Sequence, residues 1–535
     1  MVINRLRAAD TESFHHAVFF ILLCVLAVAM PTSRSGMSTA QILLGVNWLF
    51  EGRYREKTLR FWNNKPALIF SLIYLVHVAG LLWSQDLHYG ILSDLKNKLP
   101  MLTLTFLVAS SKPLTLRQIY IILLFFAASV LVRSFIGAVV FFTGSYVDFR
   151  HVSPFVPHVY FSMMILMTVF MLPWLSKRIS SNRKWYLFSL LISAWLLVFL
   201  FLLQTITGFL CLAGILFFLL LRQVFKGKSI LWSSVTALAL LALIVGGALT
   251  VHYMYRNVNL EIACEEGDLE EFTALGNRYK HDLESDMHEN GHPVFVYIAG
   301  NELSEAWNRR SEHDFSGYDK QGNQLRYTLY RYMTSMGLRK DAEGLQALSD
   351  EDVRAVERGI PNYLYTQWPG VMVRVHQVIW EIHRFNKTGD PSGHTFTQRL
   401  ELWKGSGEAF REKPVFGWGT GDIYIAVKYG LNRIDSKMKN HHMKPHNQYL
   451  LFLLTLGIAG SLVIYFSYFL YIRKTRAYRF LPFNIFMAIM IVSMLGNNPV
   501  DAQTGQTFFS FFTLLFGIMM GRAENPDADH SRASQ

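Results

Sequence analysis

The sequence predicts an all-α polytopic membrane protein with about twelve transmembrane helices and one large, mainly helical loop outside the cytoplasm. Three observations carry that prediction. Windows of seventeen or more residues with almost no charge recur along the chain, and about twenty apolar residues are what a helix needs to cross hydrocarbon. Lysine and arginine crowd into every second connection between those windows. A single long polar stretch, residues 253–445, interrupts the apolar runs.

Composition agrees with this. The chain has 535 residues, 51% of them hydrophobic and 14% aromatic, and its mean hydropathy is +0.23. That is too apolar for an ordinary soluble multidomain protein. The formal charge of +12 raises nucleic acid as a partner, but the basic residues sit in short loops between apolar runs, where they orient a membrane protein. No nucleic-acid partner is therefore expected, and membrane lipids are. Cys24 and Cys211 lie inside apolar runs and Cys264 stands alone, so no disulfide framework is available. The first apolar run lacks a small-residue cleavage site and leads straight into others, which reads as a retained helix rather than a removed signal.

In chain order the apolar runs place helices at roughly 14–31, 36–50, 66–83, 99–111, 117–142, 158–175, 185–203, 206–222, 230–252, 446–471, 481–497 and 505–521. The stretch 185–221 is too long for one span, and Gln204-Thr205-Ile206-Thr207-Gly208 is polar enough to turn it. One set of connections holds Arg53, Arg55, Lys57, Arg60 and Lys65, then Lys177, Arg178, Arg183 and Lys184, and later Arg473, Lys474, Arg476 and Arg479. The alternate short connections hold only Arg34, then Lys96 and Lys98, then Arg150. Both termini are thus expected in the cytoplasm and the long polar segment outside it. The organisation expected is 1–252 for nine helices, 253–445 for the loop domain, 446–521 for three more helices and 522–535 for a disordered cytoplasmic tail.

Within the loop, residues 260–279 carry a charge-rich helical pattern, 314–327 read as turns, and 326–336 as a helix. Residues 343–358 have helical spacing with Ser349-Asp350-Glu351-Asp352 resembling a capped start. Residues 371–385 are amphipathic and aromatic-rich, suited to lying along a membrane surface.

Several side chains have chemistry to offer. His446 follows Lys444-Pro445 and precedes Asn447-Gln448-Tyr449 where a polar loop meets an apolar run. An imidazole titrates near neutrality and suits a general base, while an interfacial histidine that caps a helix is the plainer alternative. His441, His442 and His446 invite a metal, but Pro445 interrupts them and no cysteine or carboxylate adjoins, so no metal is expected. Arg399 offers paired donors that match phosphate oxygens, or it is a surface arginine paired with Glu401. Gly417, Gly419 and Gly421 resemble a phosphate loop only superficially and more simply let the backbone turn tightly. Arg133 lies inside an apolar helix, where ionisable groups face a cavity or a partner, or snorkel. Arg150, His151 and His158 border an outer connection, and Asp501, Gln503 and Gln506 lie in the last one, where the carboxylate of Asp501 either orients a histidine or caps a helix.

Arg399-x-x-x-Trp403, Pro414-x-x-Gly417-x-Gly419-x-Gly421 and His446-Asn447-Gln448-Tyr449-Leu450 together resemble the O-antigen ligase family, which includes O-antigen polymerases and O-linked oligosaccharyltransferases. Leu82-Trp83-Ser84-x-Asp86 and Lys98-x-Pro100 are similar to the family's third-helix region. Glu289-Asn290-Gly291, Glu302-Leu303-x-x-Ala306-Trp307-Asn308-x-Arg310-Ser311 and Thr328-Leu329-x-Arg331-Tyr332 look like the insertion of its Bacteroidota branch.

The resemblance implies a glycosyltransferase of the inner membrane that needs neither metal nor other cofactor. Its donor would be an undecaprenyl-diphosphate-linked glycan and its acceptor a lipid A core hydroxyl, meeting at the periplasmic face. His446 and Arg399 would be catalytic, with Asn447, Gln448, Lys444, Trp403, Arg150, His158, Arg133, Asp501 and Gln503 as substrate contacts. Many relatives carry a second arginine in a Ser-Arg-Thr-Gly-like turn. Here the turn is Thr205-Ile206-Thr207-Gly208, which leaves Arg150, Arg133 or Lys444 to supply that charge. A polymerase or a ligase acting on protein serine stays within the same family. A transporter of lipid-linked glycan also suits twelve helices, but such transporters are built from two similar halves, and no internal duplication is evident.

Overall fold

The computed structural model describes residues 2–143, 152–153, 155–225, 230–260, 262, 269–392 and 395–524. Each of the twelve apolar runs folds as a helix, and the protein is an all-α polytopic membrane protein. Among the described residues nine helices are long and apolar enough to cross a membrane: Ser13–Thr32, Lys65–Trp83, Leu116–Phe142, His158–Ile179, Arg183–Leu202, Ile206–Phe225, Ser234–Val258, Gln448–Thr475 and Gln503–Glu524. The other three, Arg34–Phe50, Pro100–Ser110 and Leu481–Gly496, are shorter.

The chain divides into two compact units. One comprises residues 1–144, 152–222 and 399–535, the other 145–151 and 223–398. In the first, Gln503–Glu524 is the most enclosed of the long helices. Its buried Thr504, Gly505, Thr507 and Ser510 let neighbours approach closely, and Phe508, Phe512 and Phe516 fill the remaining space. Phe512 lies 5.0 Å from Phe126 and 4.9 Å from Phe508 between ring centres, separations at which edge-to-face pairs add about 0.5–1.5 kcal/mol beyond burial. The expected turn at 204–208 is present. Gln204 takes a positive φ of 50°, and the Thr205 hydroxyl accepts the Gly208 N–H at 3.1 Å to start the next helix.

The second unit holds the helix Ile230–Val258 and a small helical cluster, Gly300–Arg310, Leu325–Ser335, Ala342–Gln346, Asp350–Glu357 and Gly370–Thr388, with a two-residue hairpin pairing Glu289 with His292. Its core is built on Trp307, Tyr332, Leu303, Leu329, Met333 and Val356. The capped start at Ser349 is realised as a reciprocal capping box with Asp352. The helix expected over 260–279 does not form where the chain is described. From 269 the backbone turns instead, because the Thr273 hydroxyl takes the N–H groups of Leu275 and Asn277 and Gly276 adopts φ +83°. The amphipathic segment expected at 371–385 forms the helix Gly370–Thr388, and its Ile379, Met372 and Val375 pack on Met254 and Val258 of Ile230–Val258.

At the carboxyl end Arg522 donates to the carbonyls of Ala109 and Ser111, each at 3.3 Å. The rest of the expected disordered tail, from 525 on, lies outside the described residues.

Candidate active site

Arg399 and Trp403 stand one turn apart on the helix Thr395–Glu412, so they share a face. The Trp403 indole N–H donates to the Pro445 carbonyl at 2.8 Å. That bond fastens the helix to the residue just before His446. His446 itself has φ +50°, a left-handed conformation that histidine enters more readily than most residues. The helix begins at Gln448 rather than at 446 as the apolar run suggested, because the Asn447 side chain caps it, accepting the N–H groups of Tyr449 and Leu450 at 3.0 and 3.1 Å. Gln448 is fully buried and its side-chain oxygen accepts the Val500 N–H at 3.1 Å. Asn447 and Gln448, expected as substrate contacts, thus aim the loop that carries His446.

The imidazole of His446 is pushed down from 6.5 to about 4, by burial first and then by the charges of Arg399 and Lys444. The three groups therefore share one neighbourhood, and at neutral pH it holds an uncharged imidazole beside two cations. Lys444 pairs with the Asp501 carboxylate, whose other oxygen accepts from Lys98 at 2.9 Å. Lys98 is fully buried and also pairs with Asp94. Burial alone would raise the Asp501 carboxyl, but Lys98 and Lys444 outweigh it and hold it well below the usual carboxylate range. Asp501 meets lysines in this structure, so its part is to hold Lys444 in place. The Lys444 ammonium also lies 5.4 Å from the Tyr89 ring and 5.7 Å from Tyr424, which stacks on His442 at 3.6 Å.

Beneath this lies the glycine motif. The helix Gln448–Thr475 breaks at Gly457, where φ is +63°. The groups freed by the break are taken up by the glycine loop. Trp418 and Gly419 donate to the carbonyls of Leu454 and Thr455 at 2.7 and 2.9 Å, and Ile458 and Ala459 donate to Pro414 and Val415 at 2.8 and 3.0 Å. Irregular backbone survives among membrane helices when it is satisfied by protein in this way. There is no room for side chains. A Cβ on Gly457 would lie 2.2 Å from the Val415 carbonyl oxygen, and one on Gly421 2.0 Å from that of Asp86. The expectation of tight turning is met, and the glycines also permit close approach.

Asp422 closes the loop by accepting the N–H groups of Gln85 and Asp86, each at 2.8 Å by its shorter bond. The Ser84 hydroxyl accepts the Gly421 N–H at 3.0 Å. The segments around Ser84 and Gly421, remote in sequence, are joined.

Two of the other expected contacts meet partners within the chain. Gln503 donates to the Ser38 hydroxyl at 2.6 Å. Arg133 is buried within Leu116–Phe142 with its guanidinium 4.0 Å from the Phe155 ring. His158 opens the helix His158–Ile179. Arg150 lies outside the described residues. Ile206 begins a helix whose Thr207 hydroxyl accepts from Asn497 at 2.9 Å, which ties that turn to the connection bearing Asp501. Sequence reasoning did not put Asp94, Tyr89 or Tyr424 at the site, and it noted Lys98 only in the family-like Lys98-x-Pro100. The Asp94–Lys98 spacing of four was the available signal.

Residues 359–465 match the model of a family described as O-antigen ligase. The matched segment contains Arg399, Trp403, the glycine loop, Asp422, Lys444 and His446. No curated protein matches the chain.

Proposed function

We propose that this chain, whose residues 359–465 match the O-antigen ligase family model, transfers a glycan from undecaprenyl diphosphate to a lipid A core hydroxyl at the periplasmic face of the inner membrane. The observation that supports the reading is the hydrogen bond from Trp403 to the Pro445 carbonyl at 2.8 Å, which fastens the helix bearing Arg399 to the loop bearing Lys444 and His446 inside that segment. The acceptor oxygen attacks the anomeric carbon as His446 takes its proton. The bond from that carbon to the phosphate oxygen breaks, and undecaprenyl diphosphate leaves with the electron pair. Arg399, with Lys444 supplying the second charge that Ile206 lacks, meets the charge growing on the leaving group. Fixed cations placed where charge develops lower a barrier without reorganising. No metal or other cofactor enters the proposal.

The alternation of Lys and Arg supports both termini in the cytoplasm and residues 253–445 in the periplasm. The test is transfer by purified protein given donor lipid and lipid A core in EDTA. His446→Ala and Arg399→Ala should each abolish transfer while the protein stays folded and inserted. A deletion strain should lose O-antigen from its lipid A core and accumulate lipid-linked polymer. Core bearing single repeat units would assign the polymerase activity instead, and glycan crossing the bilayer without a new glycosidic bond would exclude transfer altogether.

A further inference from the structure

Lys444, Asp501, Lys98 and Asp94 form a chain of four charges that reaches solvent at one end. Lys98 Nζ donates to Oδ1 of Asp94 and, at 2.9 Å, to Oδ1 of Asp501, so a single ammonium is shared by two carboxylates and holds them close together. The other oxygen of Asp501 accepts from Lys444. Lys98, Asp94 and Asp501 are all buried, whereas Lys444, two residues before His446, keeps partial access to solvent. Three of the four carboxylate oxygens therefore carry an ammonium. The fourth, Oδ2 of Asp94, is enclosed and has no hydrogen-bond partner.

Two carboxylates balance two ammonium groups only while Lys444 stays on Asp501. If its charge is withdrawn, two buried carboxylates are left around one cation, and a like charge at that range disfavours the ionised form of its neighbour. The groups facing Asp94 are Lys98, Asp501, Lys444, Tyr89 from its own connection and Tyr74 from the helix Lys65–Ala79. None of these replaces the missing cation. Burial already raises the Asp94 carboxyl above the usual carboxylate range; Lys98 opposes that shift and Asp501 reinforces it.

We propose, on the basis of the glycan transfer argued above, that Lys444 turns from Asp501 to the lipid diphosphate and that Asp94 takes up one proton from solvent on Oδ2 as it does so. The neutral carboxyl leaves Lys98 paired with Asp501 alone, and the cluster stays balanced while Lys444 is engaged. When the diphosphate departs, Lys444 returns to Asp501 and the proton goes back to solvent. Asp94 is thus a positioning residue, acting on Lys444 through Lys98 and Asp501.

The experiment is calorimetric titration of the full-length protein in detergent with undecaprenyl diphosphate, at one pH just above neutrality, in Tris and again in MOPS, whose ionisation enthalpies differ. The wild type should take up roughly one proton per diphosphate bound. Asp94→Asn should bind without that uptake. Lys444→Gln should bind more weakly and also without it, whereas His446→Ala should keep it. In infrared difference spectra of the wild type the band of a protonated carboxyl should appear on binding, and Asp94→Asn should lack it. A thermal melt identifies any variant that has not folded, and the wild-type measurements decide the matter even then. Binding without proton uptake, or without the carboxyl band, overturns the proposal and leaves the donor assignment standing. So does uptake that persists in Asp94→Asn, with the proton on another group such as His77, whose buried Nε2 is also unbonded. Loss of uptake in His446→Ala would put the proton on the imidazole and overturn it too. If undecaprenyl diphosphate does not bind at all, the donor assignment itself fails.

Discussion

The hydrogen bond from the Trp403 indole to the Pro445 carbonyl acts on His446 only through the backbone. Trp403→Phe keeps most of the ring and removes the donor. A hydrogen bond of this kind is worth about 1 kcal/mol net, so transfer should fall about fivefold, with the loss in kcat rather than in KM. Equal losses in Trp403→Phe and His446→Ala would show that the indole does more than position. The imidazole makes a sharper prediction. With its free-enzyme value near 4, His446 stays uncharged through pH 6.5, and kcat/KM should decline only as pH falls toward about 4. A bound diphosphate would offset Arg399 and Lys444, so the acid limb of kcat should lie at higher pH than that of kcat/KM. A break in kcat/KM at 6.5 would mean that neither burial nor the two cations depress the ring. Linkage gives the matching sign for stability. The unfolded chain takes up this proton first, so the contribution is complete above about 6.5 and is lost as pH falls toward about 4.

At the scale of the element, the broken helix Gln448–Thr475 and its glycine loop stand or fall together. Gly457→Ala would force an alanine into φ +63° with its Cβ against the Val415 carbonyl. Left-handed strain alone costs about 1–3 kcal/mol, and the clash adds to it. The melting temperature and transfer should both drop. Gly407→Ala is the control, since nothing lies within 4 Å of its added Cβ and its helix should gain slightly. If Gly457→Ala melts like Gly407→Ala, the close approach of loop and helix is not what holds this region. The helices themselves were legible in the sequence because a run of apolar residues long enough for hydrocarbon has few other uses. Residues 269–279 were misread because acidic residues at helical spacing do not form a helix where a threonine hydroxyl and a glycine offer the backbone a turn.

Across the molecule, the site is held by charges from connections far apart in the chain. Lys98 and Asp501 are 403 residues apart and meet with almost no solvent access. Breaking a buried pair by removing one partner costs about 3–5 kcal/mol. Asp501→Asn should therefore lower the melting temperature in detergent and depress transfer by freeing Lys444, while Asp286→Asn in the other unit should do neither. An Asp501→Asn variant that melts unchanged would mean the two lysines find other partners. Pairings over such separations leave no periodic trace, which is why Asp501 was read as a candidate for orienting a histidine or capping a helix and Lys98 was noted only as part of the family-like Lys98-x-Pro100. Arg399 and His446 were singled out because each sits in a short motif, and the structure adds that Trp403 from the first motif bonds the Pro445 carbonyl beside the second.

The mend across Gly457 has a mechanical corollary. A helix whose missing rungs are supplied by another stretch of chain behaves as a splice: neither strand of it can slip lengthwise without tearing four bonds. The depth of the Gly417 loop is thereby indexed to the lower half of the helix that starts beside His446. Lengthening that loop by one residue would throw the two out of step, even though every side chain at the site remained in place.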